Sequence, residues 1–260
     1  MSKDKLTKEV WSKESYYKKA EVGSLEFDHP AMKKLIEISN DANTVLDMGC
    51  GEGTRLNKLI TKKSQKGCGI DISTKAIAIA KEKYPRLSFL VGDLESLPYK
   101  NGSFNLVYSA FVFEHLDNPK KVLKEAVRVL EKGGSLMIVT PNFGAPNRAS
   151  PPFHGNRWVK LVYGFIKDFY PGGGLDWHKV EPIATSKKFE IDWDTTIEPY
   201  LGSLIRFVKK LGLTIIETGS SWGEEEKNVN AMQKLFRFLG ERNIYPFKNW
   251  GPHLVLLAEK

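Results

Sequence analysis

The chain has 260 residues, 41% hydrophobic and 27% charged, a composition typical of a globular protein with enough length to bury a core. No run approaches the ~18 apolar residues of a membrane span, and the opening MSKDKLTKEVWSKESYYKKAE lacks a signal-peptide core, so a cytoplasmic location is the expectation. The net charge of +8 is interleaved, as in KESYYKKAE and KEKYPR, which reads as solvated helix faces and not as a dedicated nucleic-acid surface.

Residues 1–43 read as an N-terminal helical segment and 44–260 as one domain. TVLDMG (44–49) has the pattern of a buried strand, and TRLNKLITKK (54–63), with Leu56, Leu59 and Ile60 on one face, that of a helix. KGCGIDI (66–72) is a second strand, and STKAIAIAKEKY (73–84) a helix capped by Ser73. LSFLVGD (87–93) is a third strand, PYKNGS (98–103) a turn, and FNLVYSAFVF (104–113) a fourth strand running into a loop. In NPKKVLKEAVRVLEKGG (118–134) Asn118 caps a helix, Pro119 fits its first turn and Gly133 follows its end; SLMIVT (135–140) is the fifth strand. Strands joined by helical crossovers make a parallel sheet covered on both faces, with ligands beyond the strands' carboxyl ends.

The alternation stops after Thr140. Residues 141–200 hold 11 aromatic residues, several prolines and the run PGGG (171–174), and read as an insertion. A helix near 201–211, a strand LTIIET (213–218), a helix within EEEKNVNAMQKLFRFLGER (224–242) and a strand HLVLLAE (253–259) complete the chain. Cys50 and Cys68 are too few for a disulfide framework or a four-ligand zinc site and read as packing residues.

Gly49, Gly51 and Gly53 fall where the first strand turns into the first helix. Their missing side chains let a ligand approach the backbone there, or simply allow a tight turn. The spacing is G-x-G-x-G with Asp47 two residues ahead, unlike the G-x-G-x-x-G of dinucleotide sites. Asp71, twenty residues beyond Gly51, can accept both hydroxyls of a ribose or, alternatively, serve as a helix N-terminal acid. Asp93 at the end of the third strand can accept from an adenine amino group or form a turn.

Together DMGCGEG, GIDIS, GDLESLP, NGSFNLVYSAFVFEHL and PKKVLKEAVRVLEKGGSLMIVTPN resemble the class I S-adenosylmethionine-dependent methyltransferases, in the type 11 branch with ubiquinone-pathway and other small-molecule enzymes. The resemblance covers residues 44–142. It implies an α/β fold: a Rossmann-like, seven-stranded, mostly parallel sheet with helices on both faces and HLVLLAE as the antiparallel last strand, the aromatic-rich insertion following the fifth strand. The implied cofactor is S-adenosylmethionine, with Gly49 and Gly51 at its methionine part, Gly53 in the same turn, Asp71 and Ile72 at the ribose side, Asp93 and Leu94 at the adenine, Ser109 at the ammonium end and Asp47 orienting the turn. Two departures stand out. Asn105 replaces the branch's usual Asp, and Phe111 replaces the first Glu of an E-x-x-E-H metal set, so Glu114 and His115 are not expected to ligate a metal.

The implied reaction methylates a hydroxyl or carbon of a small-molecule or lipid- or glycan-linked acceptor. YSAF stands where an amino-methylating enzyme carries a Pro-Pro-aromatic motif, and no spare cysteine is present for attack on a pyrimidine. His178, His115 and His154 are the candidate bases, the first two the stronger. The insertion is the expected substrate lid. Within it Trp158, Leu161, Val162, Phe165, Ile166 and Phe169 keep helical spacing, either as core or lid packing or as a surface for a membrane or lipid-linked substrate. A noncatalytic S-adenosylmethionine-binding subunit and an RNA or protein methyltransferase are the alternatives.

Overall fold

The computed structural model describes residues 29–170, 172, 174–183, 190, 192–222 and 229–260. Of the expected N-terminal helical segment, residues 1–28 lie outside these; so do residues 171, 173, 184–189 and 191 of the insertion and 224–228 of the last expected helix. The elements in order are α1 (Pro30–Ser39), β1 (Thr44–Met48), α2 (Thr54–Leu59), β2 (Lys66–Asp71), α3 (Thr74–Lys83), β3 (Ser88–Val91), β4 (Phe104–Ala110), α4 (Pro119–Val129), β5 (Leu130–Pro141), α5 (Arg157–Phe169), β6 (His178–Lys179), β7 (Ile197–Glu198), α6 (Leu201–Lys210), β8 (Thr214–Ser220), α7 (Ala231–Glu241) and β9 (His253–Glu259).

Seven strands form one sheet in the order β3-β2-β1-β4-β5-β9-β8, while β6 and β7 pair separately in the insertion. Strands β1 to β5 are parallel and β9 is antiparallel to both of its neighbours, as HLVLLAE was expected to be. The alternation of side chains along each strand divides the core into two layers. Leu46, Met48, Val107, Leu136 and Ile138 face α4 and α6, whose Leu123, Ala126, Leu204 and Val208 meet them. Val45, Leu106, Tyr108, Met137 and Val139 face α1, α2 and α3 through Leu35, Leu56 and Ile77. Among the described residues no helix is long and apolar enough to cross a membrane.

Local chemistry sets the helix ends. Ser73 accepts from the Ala76 amide at the start of α3, and Asn118 caps α4 ahead of Pro119. Gly133 does not terminate α4, contrary to its expected place. The helix ends at Val129, the chain enters β5 at Leu130, and Gly133 takes a φ of 77° within that strand, near a register shift between Phe104 and Leu106 on β4. Asn105 ties β1 to β4: its Oδ1 accepts from the amides of Asn43 (3.0 Å) and Thr44 (2.9 Å), and its Nδ2 donates to Glu131. An aspartate here could not make that last bond, which accounts physically for the amide.

Helix α5 bears on the choice left open for its apolar positions. Its apolar stripe does not pack as core: Trp158, Val162, Phe165, Ile166 and Phe169 are exposed and Leu161 is only partly buried. The helix is held instead by Asp168, its buried residue, which accepts from Trp250 Nε1 (2.8 Å) and from the Tyr200 hydroxyl. Beneath it Ala145, Trp222 and Trp250 form a small aromatic core with Phe236 and Phe247.

Candidate active site

The turn between β1 and α2 needs its glycines for three different reasons. Gly49, Gly51 and Gly53 all have left-handed φ values, 81°, 52° and 82°. A Cβ on Gly49 would come within 2.3 Å of Val112, and one on Gly53 within 2.6 Å of Phe89, so these two admit neighbouring protein. A Cβ on Gly51 would meet nothing within 4 Å among the described residues. Gly51 is the position that opens onto volume a ligand can take. The turn amides themselves have protein partners: Gly49 and Cys50 donate to the Ile70 carbonyl, Gly53 to that of Cys50, and Gly51 to Asp71 Oδ2 (3.0 Å).

Asp71 therefore has a structural task alongside its expected one, since its Oδ1 also accepts from the Ser73 amide (2.8 Å). Two lone pairs on each carboxylate oxygen leave capacity for further donors. Ile72, next in sequence, is exposed, as are Leu90 and Val91 on the neighbouring β3, giving an apolar ledge at the strand ends. Asp93 accepts from the Glu95 amide (2.8 Å) and so forms the turn that was its alternative reading. Leu94 packs its side chain into the core, which leaves only its backbone to face a ligand. Ser109 is buried and donates to the Met48 carbonyl (2.9 Å), joining the ends of β4 and β1.

Under the turn lies a set of buried charges. Asp47 is fully buried; its Oδ2 accepts from the Tyr108 hydroxyl (2.6 Å), while its Oδ1, Glu52 Oε1 and Arg55 Nε have no hydrogen-bond partner among the described residues. Burial pushes the Asp47 carboxyl up to about 7, against the opposing pull of Arg55 and Tyr108. Unpaired buried acceptors are costly unless a donor arrives. Two such oxygens beside an open turn fit the cationic amino end of an amino-acid-bearing cofactor. Such a ligand favours the carboxylate, so its affinity is expected to rise as pH passes upward through 7, with proton release on binding at lower pH. Calorimetric titrations in buffers of different ionisation enthalpy at pH 6 and 8 (roughly one unit to each side) check this. Glu52 and Arg55 were absent from the sequence reading, although an acid inside GEG was a visible signal.

The candidate bases lie apart. His115 is in a 3₁₀ turn after β4, with Nε2 3.7 Å from Glu114 Oε1 and Nδ1 3.7 Å from Asp194 Oδ2. These carboxylates raise its pKa above the ordinary 6.5 against the lowering effect of burial, which is the largest single influence. Its charge also reaches Asp71, placing it on the side of the turn. Thr196 donates its amide to the Glu114 carbonyl (2.9 Å), so this loop carries the end of the insertion.

His178 is on β6, opposite Glu198 on β7, and lines a cavity of about 1020 Å³. The wall includes Phe153, Lys160, Tyr163, Trp177, Glu198 and Tyr200. Glu198 is fully buried and accepts from the Ser150 amide (2.8 Å), the Ser150 hydroxyl (3.0 Å) and Lys160 Nζ (2.6 Å), with His178 Nδ1 3.9 Å away. Burial lowers the Lys160 pKa, with Glu198 opposing. Lys160 and Glu198 lie 38 residues apart, so no local spacing could reveal their pairing. None of the expected cofactor residues lines this cavity; Glu95 does, and its amide bonds to Asp93. His154 is exposed and outside its lining.

A protein-family model described as a methyltransferase domain matches residues 46–138. The chain is 38% identical over 208 residues to ajmaline N-methyltransferase of Rauvolfia serpentina, covering 75% of this chain and 70% of that protein. It is 30% identical over 172 residues to demethylmenaquinone methyltransferase of Thermotoga maritima, covering 63% and 71%. The chain spans only 42% of the length of a probable S-adenosylmethionine-dependent methyltransferase of Mycobacterium tuberculosis, at 35% identity over 117 residues, 44% of this chain. The fold is shared with a crystal structure of an S-adenosylmethionine-dependent methyltransferase from Mesorhizobium loti, at a TM-score of 0.53 and 16% identity over 90% of this chain and 100% of that one. The sheet and the glycine turn define a Rossmann-like methyltransferase fold. The chain belongs to the class I S-adenosylmethionine-dependent methyltransferases, the family whose cofactor is S-adenosylmethionine.

Proposed function

We propose that the protein methylates a hydroxyl or carbon of a small, largely apolar molecule held in the cavity beneath the insertion. The observation that carries this reading is the cavity itself: about 1020 Å³, walled by aromatic side chains, with a buried Lys160–Glu198 pair, and bordered on the cofactor side by Glu95, whose amide bonds to Asp93. When bound, S-adenosylmethionine supplies an electrophilic methyl group on a sulfonium. The open side of Gly51, the oxygens of Asp47 and Glu52 left without a partner among the described residues, and the carboxylates of Asp71 and Asp93 would hold it.

The cavity residues have three tasks. Phe153, Tyr163 and Trp177 orient an apolar acceptor and exclude water, and alignment of this kind supplies up to ~7–11 kcal/mol in favourable cases. Glu198 orients the imidazole of His178, which takes the proton of an acceptor hydroxyl. The insertion acts as the lid, with Gly172 and Gly174 absorbing backbone rotation. The test is transfer of label from S-adenosylmethionine to a panel of phenols, quinols and extracted metabolites. Label is expected in an apolar small molecule, and addition of that molecule should protect residues 153–169 from hydrogen exchange beyond the effect of cofactor alone. Cofactor binding with label recovered only in protein or RNA would replace this reading.

A further inference from the structure

The outer surface of α5 is the largest unexplained feature of the molecule. Trp158, Val159, Val162, Ile166 and Tyr170 are all more than half exposed, Trp158 at 67% and Tyr170 at 82%. The patch reaches the segment after α7, where Tyr245 meets Phe169 edge-on at 5.7 Å, and α7 adds an exposed i, i+3 row of Met232, Leu235 and Phe238. Isolated surface apolar residues need no explanation, but a contiguous patch of this kind marks an interaction surface.

Its charge says what meets it. The cations around the patch are Arg157 and Lys167 on α5 and Lys234, Arg237, Arg242 and Lys248 on and after α7. The two acids in the same segments are neutralised or inward: Asp168 is buried against Trp250 and Tyr200, and Glu241 pairs with Arg237 at 2.8 Å. Lys167 and Arg242 lie over the rings of Tyr163 and Phe238, at 4.9 and 3.5 Å from their centroids, so positive charge stays close to the apolar face. An amphipathic helix with Trp, Tyr and Phe on one side and a cationic border is the form that settles into the interface of an anionic bilayer. A second copy of this chain would bring the same cations together.

We propose that the α5–α7 face docks on an anionic lipid bilayer. Val159 and Tyr163 belong to this face and also line the cavity, so docking would bring the cavity wall to the lipid surface, where an apolar acceptor partitions. That consequence rests on the methyltransferase reading of the cavity; docking itself does not.

The experiment is co-sedimentation of the full chain with vesicles of phosphatidylcholine and phosphatidylglycerol in equal parts, compared with pure phosphatidylcholine. Binding to the anionic vesicles is expected to be at least ~10-fold stronger and to weaken as salt is raised. Trp158→Ser combined with Ile166→Ser should reduce it ~10-fold or more, as should Lys234→Glu combined with Lys248→Glu. All four positions are exposed, and calorimetry of S-adenosylmethionine binding, expected to be unchanged in both variants, controls for folding and reports separately on the family reading. Wild-type protein left in the supernatant with both vesicle types would overturn the proposal, and so would equal binding by wild type and variants. A dimer in sedimentation velocity that Trp158→Ser dissociates would assign the face to a second copy instead.

Discussion

Gly51→Ala is expected to fold with a loss of about 1–2 kcal/mol, the cost of a side chain at left-handed φ, and to bind S-adenosylmethionine far more weakly. The added methyl group meets no atom of the described residues within 4 Å, so it points into volume that a ligand can take. Overpacking of about 1–3 kcal/mol corresponds to a loss of affinity of roughly 10- to 100-fold. Gly49→Ala should behave in the opposite way. Its Cβ would press to 2.3 Å from Val112, so chemical denaturation should show a stability loss larger than that of Gly51→Ala, with any loss of binding following from misfolding. Equal affinities of Gly51→Ala and wild type would place the cofactor elsewhere.

The second large effect separates the two histidines. His178→Ala is expected to lower kcat by ~10²–10⁴-fold while leaving cofactor affinity nearly unchanged, because its side chain faces the cavity and touches none of the cofactor positions. His115→Ala should act mainly on stability. Removing the imidazole leaves Glu114 and Asp194 buried without their cation, which costs about 3 kcal/mol when the pair is well shielded. The His115 pKa is raised on folding, so its contribution is complete below about pH 6.5 and is lost as pH rises through the raised value. Burial raises the Glu114 carboxyl as well, and brings Asp192 to about 7, so ionising these acids weakens the same loop in the same direction. Thermal melts of wild type and His115→Gln between pH 5 and 8 (about the histidine range) should converge at the alkaline end. Full turnover by His178→Ala would leave proton removal to another group.

The half of the fold that binds the cofactor was legible because its signals are local. A glycine turn, an acid at each strand end and a capped helix each occupy fewer than a dozen consecutive residues, and the period of the apolar positions decides strand or helix. The boundaries that shifted did so where tertiary pairing overrode local preference, as at Gly133, which β5 absorbs. The division of roles among the three glycines was not legible, since it depends on Val112 and Phe89 from distant segments. The acceptor side was hidden for the same reason: Glu198 collects Ser150, Lys160 and His178 from three separate stretches. The exposed face of α5 was ambiguous because helical periodicity identifies an apolar stripe without identifying what lies against it.

The proposed cofactor positions lie between residues 47 and 109, whereas the cavity draws most of its wall from residues 144–206. The two regions are joined by the Glu95 amide on Asp93 and by one apolar cluster that holds Leu94 together with Leu175, Trp177 and Ile197 of the cavity wall. Distant groups without shared partners contribute nearly additively. Substitutions at wall positions outside that cluster, such as Phe153 and Tyr163, are therefore expected to alter which molecule is accepted while leaving the other half almost undisturbed, and a new specificity can evolve by change in one segment, provided that Asp168 keeps α5 fastened to Trp250 and Tyr200.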